Sequence, residues 1–316
     1  MSPASDAKTK EQKFKILSID GGGIKGVFPA AFLAGLERSL RQPIYRYFDL
    51  IAGTSTGGII ALGLGLGLSA EKIADFYKEH GPHIFGSPKG FFSRLLSPKY
   101  SPTPLREALL EVLGPAILGD SKVRLLIPSF NANNGEIHIY KTRHHERLVT
   151  DFREKMVDVA LATTAAPTFF PAHQGAGGAL YIDGGLWANN PVGHAVVEAI
   201  SWLKQRPSDV EVLSVGCTQF PISFAGLNGG KDWAMNFVEA ALRGQSGGSL
   251  GTAYSLVGHD RVKRINPVAP PGRFSLDKTS AITELLAYGY LEARKASSEV
   301  TPRFFNSEAD IFTPLI

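Results

Sequence analysis

The sequence is poor in cysteine and has no large excess of either charge. Its single cysteine, Cys217, rules out an intramolecular disulfide, which is typical of a protein from a reducing compartment. A net charge of +4 over 316 residues permits contact with an anionic lipid or nucleotide but does not require it. No nucleic-acid-binding module and no cluster of metal ligands is visible. We therefore expect no nucleic-acid partner, no metal and no cofactor.

Two segments bear on where the protein acts. Residues 1–13 are polar and charged and lack the apolar core of a signal peptide. We expect them to form a flexible tail before a single domain over residues 14–316, in a cytoplasmic protein. Residues 50–70 carry no charge, and a run of 21 residues is long enough to cross a bilayer. The run also holds six glycines, so a strand, a tight turn and a buried helix explain it better.

Short apolar segments alternate along the chain with segments of helical periodicity. Strands are expected over residues 14–19, 47–52, 123–130, 136–141, 179–182 and 210–216. Helices are expected over residues 27–40, 56–66, 70–80, 156–164, 191–204, 232–243 and 278–298, and an irregular segment over 81–104. This order predicts a three-layer α/β/α fold with a mainly parallel central sheet. Ligands of such sheets bind beyond the carboxyl ends of the strands.

The pentapeptide Gly53-Thr54-Ser55-Thr56-Gly57 follows the second predicted strand and matches the G-x-S-x-G pattern of a nucleophile elbow. In an elbow the chain turns abruptly from a strand into a helix, and the serine at the apex has a strained backbone. Side chains two residues before or after the serine would collide, so both positions need glycine. The pattern predicts a serine oxygen raised above the sheet. The alternative is a glycine turn that only allows close packing of strand and helix.

A glycine-rich turn follows the first predicted strand and Asp20. Its residues are Gly21, Gly22, Gly23, Ile24, Lys25 and Gly26. Glycines expose backbone N–H groups, and a helix beginning near Val27 favours negative charge at this point. The turn therefore suits an oxyanion hole for an acyl-transfer intermediate. It also matches G-x-G-x-x-G, so a nucleotide- or dinucleotide-binding site is an alternative, although the acid expected about 20 residues later falls before the end of the second strand.

A third motif, Asp183-Gly184-Gly185, comes at the end of another predicted strand, with Asn189-Asn190 close behind. The two glycines leave room around the Asp183 carboxylate, which can then reach another side chain. An ordinary Asp-Gly turn is the alternative. All three motifs are expected beyond the carboxyl ends of strands, which would bring them to one edge of the sheet.

Together the three motifs resemble those of the patatin-like phospholipase family. The resemblance rests on D-G-G-G-x-[KR]-G at residues 20–26, G-T-S-T-G-G at 53–58 and D-G-G at 183–185. The segment A-A-P-T-F-F-P at residues 165–171 is similar to the family's loop between the second and third motifs. Order and spacing agree over residues 14–217. The resemblance implies the patatin-like form of the three-layer fold and a lipid acyl hydrolase of phospholipase A type.

The family's chemistry implies a Ser–Asp dyad. Carried over to this chain, Ser55 attacks the ester carbonyl, and Asp183 accepts its proton and returns it to the leaving alcohol. Backbone N–H groups of Gly22, Gly23 and Ile24 would hold the oxyanion. A membrane phospholipid is then the expected substrate. A pseudoenzyme that uses the fold only as a sensor is an alternative, against which the intact motifs argue.

Two further points about this site follow from the sequence. Lys25 occupies the family's basic position, for which we expect an indirect role in shaping the turn or its potential. His194 and His259 both follow Asp183, in the order of an ordinary Ser–Asp–His hydrolase, so a triad is an alternative to the dyad.

The sequence is also similar to a bacterial branch of the family (CBASS), in which the phospholipase is the effector of an antiphage signalling system. There a cyclic dinucleotide switches on membrane degradation. This likeness implies a cyclic-dinucleotide activator, action at the inner membrane surface and control by nucleotide binding or homo-oligomerisation. Side chains that suit phosphate binding are Arg243, Gln245, Ser246, Arg261, Lys263 and Arg264. A solvated basic face is the alternative.

Residues 80–106 contain no acid. Basic and apolar side chains alternate there: Lys89, Phe91, Phe92, Arg94, Leu95, Leu96, Lys99 and Arg106. Basic charge beside exposed apolar groups suits an anionic bilayer, and the prolines and glycines of the segment suit a mobile lid. A surface loop whose aromatic side chains enter the core is the alternative.

Overall fold

The computed structural model describes residues 12–86, 97–219, 230–270 and 273–315, with side chains left out at 230–236 and 238. Strands β1–β8 are Phe14–Ile19, Leu50–Gly53, Arg124–Asn131, Glu136–Lys141, His173–Gln174, Leu180–Asp183, Val210–Val215 and Val262–Ile265. Helices α1–α9 are Val27–Glu37, Thr56–Leu66, Ala70–Phe85, Thr103–Leu113, Met156–Thr164, Gly185–Ala188, Val192–Val197, Gly230–Val257 and Ile282–Phe304.

The strands form one sheet in the order β5-β6-β3-β2-β1-β7-β8, with β4 also paired to β3. The pairs among β3, β2, β1, β7 and β8 are parallel. The three pairs that involve β4, β5 and β6 are antiparallel. The prediction of a mainly parallel central sheet is confirmed, with antiparallel strands at one side.

Both faces of the sheet are buried, and β1 shows how the sequence achieves this. Successive side chains of a strand point to opposite faces. Leu17 and Ile19 pack with α1, α3, α5 and α9, whereas Phe14 and Ile16 pack with α7 and α8. Strand β1 is buried along its whole length and therefore contributes to two cores, and the predicted three-layer α/β/α arrangement is confirmed.

Some predicted boundaries were wrong for local reasons. The second strand begins at Leu50, because Ile44–Tyr47 forms a 3-10 turn. Helix α3 continues through Pro82 to Phe85, into the segment predicted to be irregular. Helix α7 ends at Val197, before the predicted end at residue 204, and is followed by a short π-helix over Glu198–Trp202.

Strand β8 was not predicted, because its two central residues, Lys263 and Arg264, carry charges that hide the apolar pattern. The structure pairs them with the acids Glu299 and Asp20. The prediction for residues 1–13 falls mostly outside the described residues. Among the described residues, no helix has both the length and the apolar character needed to cross a membrane.

Candidate active site

Two strands of the sheet point at each other across a short gap. Strand β4 pairs with β3 along residues 126–131, so β2 and β6 must share the other edge of β3. Strand β2 uses residues 124–126 of that edge, and β6, running in the opposite direction, uses residues 129–131. The eight-residue β3 extends beyond the end of β2. The elbow after β2 and Asp183 at the end of β6 therefore meet.

This geometry corrects one expectation. Asp183 was expected at the carboxyl end of a strand parallel to the others, but β6 is antiparallel to β3. Asp183 still reaches the carboxyl edge of the parallel strands, because β6 approaches that edge from outside the sheet.

The backbone at Ser55 has the strain of a nucleophile elbow. Its φ of 54° and ψ of −122° lie in a backbone region that residues other than glycine rarely adopt. A Cβ on Gly53 would overlap the carbonyl oxygen of Gly57, and a Cβ on Gly57 would overlap that of Ile19. Glycine is required at both positions by sterics alone.

Hydrogen bonds from distant elements hold the elbow. The Ser55 N–H donates to Thr163 Oγ1 at 3.0 Å, and the Thr163 hydroxyl donates to the Pro128 carbonyl at 2.5 Å. The Thr54 hydroxyl donates to the Ala188 carbonyl at 2.6 Å. Thr163 lies on α5, more than a hundred residues from the elbow in sequence, and no motif pointed to it.

The Ser55 hydroxyl donates to Asp183 Oδ2 at 2.6 Å. The other carboxylate oxygen of Asp183 accepts the Gly185 N–H at 2.6 Å. Both side chains are buried, with relative exposures of 9% and 6%. Burial raises the pKa of Asp183 to about 6, although its two hydrogen bonds act in the opposite direction. Asp183 is therefore ionised at neutral pH yet more basic than an ordinary carboxylate.

The glycines of the D-G-G motif serve this approach. A Cβ on Gly184 would overlap the carbonyl of Pro128, and one on Gly185 would lie 3.0 Å from Asp183 Oδ1. Strand β3 and the Asp183 carboxylate therefore leave little room for a side chain at either position.

The histidines are placed elsewhere. His194 packs edge-on against Trp187, with ring centres 4.9 Å apart, and His259 stacks on Tyr254 at 3.8 Å. In the described part of the chain, neither ring makes a hydrogen bond to Ser55 or Asp183. The arrangement fits the dyad and gives no support to the triad.

The glycine-rich turn lies directly beside Ser55. A Cβ on Gly21 would be 3.2 Å from the Cβ of Ser55. Gly26, at the far end of the turn, packs against Thr56, where a Cβ would overlap the threonine side chain. The Thr56 hydroxyl in turn lies 2.5 Å from the Tyr77 hydroxyl. The predicted oxyanion turn and the elbow therefore form one packed unit.

The N–H groups of the turn differ in what they bind. The Ile24 N–H donates to the Leu276 carbonyl at 2.8 Å, and the Lys25 N–H donates to the Gly22 carbonyl at 3.1 Å. Those of Gly22 and Gly23 donate to no main-chain carbonyl within the described ranges. Of the three predicted oxyanion donors, Gly22 and Gly23 are thus the two that this arrangement leaves available, and Ile24 is engaged elsewhere.

Asn189 joins the turn to the D-G-G motif. Its carbonyl accepts the Gly21 N–H at 2.9 Å, and its side-chain amide donates to the Gly21 carbonyl at 3.4 Å. A Cβ on Gly185 would be 3.2 Å from Asn189 Oδ1. The sequence placed Asn189 shortly after Asp183 but gave no reason to assign it to the glycine-rich turn.

The structure does not gather the predicted phosphate-binding side chains into one surface. Each of the four cations has an acidic partner: Arg243 with Glu239, Arg261 with Asp260, Lys263 with Glu299 and Arg264 with Asp20. Lys263 and Arg264 are successive residues of β8 and point to opposite faces of the sheet. Gln245 and Ser246 hydrogen-bond to Asn190.

The predicted lid is only partly described. Residues 87–96, with Phe91 and Phe92, lie outside the described residues. Of its described cations, Lys99 pairs with Asp277, and Arg106 pairs with Asp158 at 2.9 Å. Both are held by acids from other parts of the fold, so they contribute less net positive charge to a bilayer-binding surface than the sequence suggested.

A serine elbow, a buried aspartate and a glycine-rich turn at one edge of the sheet of a three-layer fold define a class of α/β protein. The family model described as patatin-like phospholipase matches residues 17–196, more than half of the chain. The chain belongs to this family, and the predicted family resemblance is confirmed.

Individual relatives carry a more specific name. The chain is 38% identical over 207 residues to the cGAMP-activated phospholipase of Pseudomonas aeruginosa, a match covering 64% of this chain and 62% of that protein. It is 37% identical over 247 residues to the protein of that name from Vibrio cholerae, a match covering 69% of this chain and 70% of that protein. The first match spans less than two thirds of the relative's length. The predicted likeness to the cyclic-dinucleotide-activated branch is confirmed as a likeness.

Among solved structures, VipD from Legionella pneumophila is similar with a TM-score of 0.48 and 13% identity, over 91% of this chain and 67% of that chain.

Proposed function

We propose that the protein is a phospholipase A-type lipid acyl hydrolase that uses Ser55 and Asp183 as a catalytic dyad. The 2.6 Å hydrogen bond between the Ser55 hydroxyl and the buried Asp183 carboxylate carries this proposal. It joins a strained serine to a base whose pKa is close to neutral, beside a turn with two available N–H donors.

The first half of the reaction forms an acyl-enzyme. Ser55 Oγ attacks the ester carbonyl carbon while its proton passes to Asp183 Oδ2. The carbonyl oxygen takes the negative charge and is stabilised by the N–H groups of Gly22 and Gly23. When the intermediate collapses, the bond to the lipid alcohol breaks, and Asp183 returns the proton to the leaving oxygen.

The second half releases the fatty acid. A water molecule attacks the Ser55 ester, and Asp183 accepts a proton from this water. The second intermediate uses the same N–H donors. Its collapse breaks the bond to Ser55 Oγ, which recovers its proton from Asp183, and the dyad returns to its starting state.

We also propose that a cyclic dinucleotide activates this hydrolysis in antiphage defence, and that the substrate is phospholipid at the inner membrane surface. Two relatives named cGAMP-activated phospholipase, at 38% and 37% identity, support this activation. The predicted phosphate-binding cations do not form one surface within a single chain. The proposal therefore includes a nucleotide-binding site formed between copies of a homo-oligomer.

The test is fatty acid release from vesicles of phosphatidylethanolamine and phosphatidylglycerol, with and without cGAMP. We expect release by the wild type with cGAMP and none by Ser55→Ala or Asp183→Asn. Ser298→Ala, which changes an exposed serine of α9, should behave as the wild type. Wild-type protein that releases no fatty acid under any condition would contradict the proposal. It would favour the alternative that the turn at residues 21–26 binds a nucleotide or dinucleotide without hydrolysis.

A further inference from the structure

A buried ion pair stands at the start of the glycine-rich turn. Arg264 Nη1 donates to Asp20 Oδ1 at 2.8 Å, and Nη2 donates to Oδ2 at 2.5 Å. Both side chains have little exposure, 14% for Arg264 and 6% for Asp20. Two parallel hydrogen bonds fix the orientation of a carboxylate as well as its position.

Arg264 reaches Asp20 from two strands away. It lies on β8, whereas Asp20 follows β1, and β7 runs between them. On the way the guanidinium also donates to the Ser214 hydroxyl at 2.8 Å. A Cβ on Gly216 would lie 2.9 Å from Arg264 Nη2, so the missing side chain at this position keeps the route across β7 open.

The main chain of Asp20 is held as well. Its N–H donates to the Val215 carbonyl at 3.0 Å, and its own carbonyl accepts the Cys217 S–H at 3.3 Å. The residues that follow are Gly21, Gly22 and Gly23, and glycine has more conformational freedom than any other residue. Precise placement of their N–H groups therefore depends on anchors outside the glycines, and Asp20 is the anchor at the start.

The charges of the pair depend on each other. Burial raises the pKa of Asp20, and the charge and hydrogen bonds of Arg264 oppose that rise, with a smaller contribution from Lys25. Burial lowers the pKa of Arg264, but Asp20 outweighs this effect, so the guanidinium stays charged. An unpaired carboxylate at the start of the turn would oppose the negative charge of an oxyanion, and Arg264 cancels that effect.

We propose that Arg264 is a positioning residue for hydrolysis. Through Asp20 it fixes the start of the glycine-rich turn and neutralises a carboxylate next to the oxyanion donors. This inference rests on the proposed function, since it assigns the turn to the oxyanion. It replaces the expectation that Arg264 binds a nucleotide.

The experiment measures kcat and KM on the water-soluble ester 4-nitrophenyl butyrate, with cGAMP present, together with the melting temperature. For Arg264→Gln we expect kcat to fall about 100-fold, with KM within about threefold of wild type, as for loss of an oxyanion donor. Arg264→Lys keeps the charge but not the paired hydrogen bonds, so its kcat should fall by only about tenfold. Asp20→Asn/Arg264→Gln removes both charges and should recover at least about tenfold over Arg264→Gln.

Arg38→Gln is the matched control. Arg38 also donates two hydrogen bonds to one carboxylate, that of Glu71, but this pair is exposed and lies at the far end of α1 from the glycine-rich turn. Its kcat and KM should equal those of the wild type, and a loss equal to that of Arg264→Gln would overturn the proposal. A folded Arg264→Gln with wild-type kcat would also overturn it. Should Arg264→Gln not fold, the lysine variant and the double variant decide: wild-type kcat in both would overturn the role.

The design separates this inference from the proposed function. Ester hydrolysis by the wild type that both Ser55→Ala and Asp183→Asn abolish supports the dyad, whatever Arg264→Gln does. A wild type that hydrolyses neither this ester nor vesicle phospholipid would overturn the proposed function and, with it, the role of Arg264. If the wild type hydrolyses only vesicle phospholipid, kcat and KM of the same variants are compared on vesicles.

Discussion

Ser55 and Asp183 are 128 residues apart in the sequence, yet the serine hydroxyl donates a 2.6 Å hydrogen bond to the aspartate. They meet because β2 and β6 occupy the same edge of β3 and run toward each other. The contact is buried, and burial raises the pKa of Asp183 to about 6, as the proposed role of proton acceptor requires.

The pKa of Asp183 predicts a pH dependence of hydrolysis. Because burial raises this pKa to about 6, kcat/KM should be low in acid, where Asp183 is protonated, and should rise to a plateau as the pH passes through about 6. The profile is measured on 4-nitrophenyl butyrate with cGAMP present. Asp183→Asn should lower kcat by roughly 10³ to 10⁴ and remove the transition near pH 6. A profile unchanged through pH 6 would speak against Asp183 as the base.

Thr163 should affect the rate without touching the substrate. Thr163→Val keeps the shape of the side chain but leaves the Ser55 N–H and the Pro128 carbonyl without their partner. We expect unfolding free energy to fall by about 1–3 kcal/mol. We also expect kcat to fall about tenfold or more with KM unchanged, since a small misplacement of a nucleophile is costly. Thr163→Ser retains the hydroxyl and should restore both quantities. Equal kcat for valine and serine variants would contradict this role.

Gly57→Ala should disrupt the elbow. The new methyl group would overlap the carbonyls of Ile19 and Asp20, which belong to the main chain and cannot easily move. We expect a loss of more than about 2 kcal/mol in the free energy of unfolding, measured by urea denaturation. Gly247→Ala, on the exposed side of α8 with nothing within 4 Å, should be neutral or stabilising by up to about 1 kcal/mol. Similar stability for both variants would contradict the steric argument.

Glu198 should matter for stability rather than for the reaction. It accepts hydrogen bonds from Lys141 at 2.6 Å and His144 at 2.9 Å, and all three side chains are buried. Glu198→Gln leaves Lys141 without its counter-charge and should cost about 3–5 kcal/mol in the free energy of unfolding.

The pH dependence of this contribution has a definite sign. Burial raises the pKa of Glu198, but the hydrogen bonds and charges of His144 and Lys141 lower it by more than burial raises it. The net shift of this pKa is therefore downward. The stabilisation is therefore present above the ordinary carboxyl pKa and is lost in acid. Glu299→Gln, at an exposed pair, should change stability by less than about 0.5 kcal/mol. Urea denaturation measures both free energies of unfolding, and equal losses in Glu198→Gln and Glu299→Gln would contradict a special role for the buried pair.

The sequence by itself determined the local steric features. Gly53 and Gly57 were predicted because an elbow tolerates no side chain at those positions, and the alternation of short strand-like and helix-like segments predicted a sheet covered on both faces. These requirements act over a few residues, so a short motif records them completely. The family resemblance rests on the same local motifs.

Only the tertiary structure decided which distant groups support the site. Thr163, Asn189 and Arg264 come from a helix, a loop and an edge strand, and none belongs to a recognisable motif. Arg264 even hid its strand, because charge in the middle of β8 obscures the apolar pattern until Asp20 is seen to pair with it. A hydrogen bond or ion pair between elements depends on the register and direction of whole strands. Those are set by packing of the complete chain, which no local stretch of sequence contains.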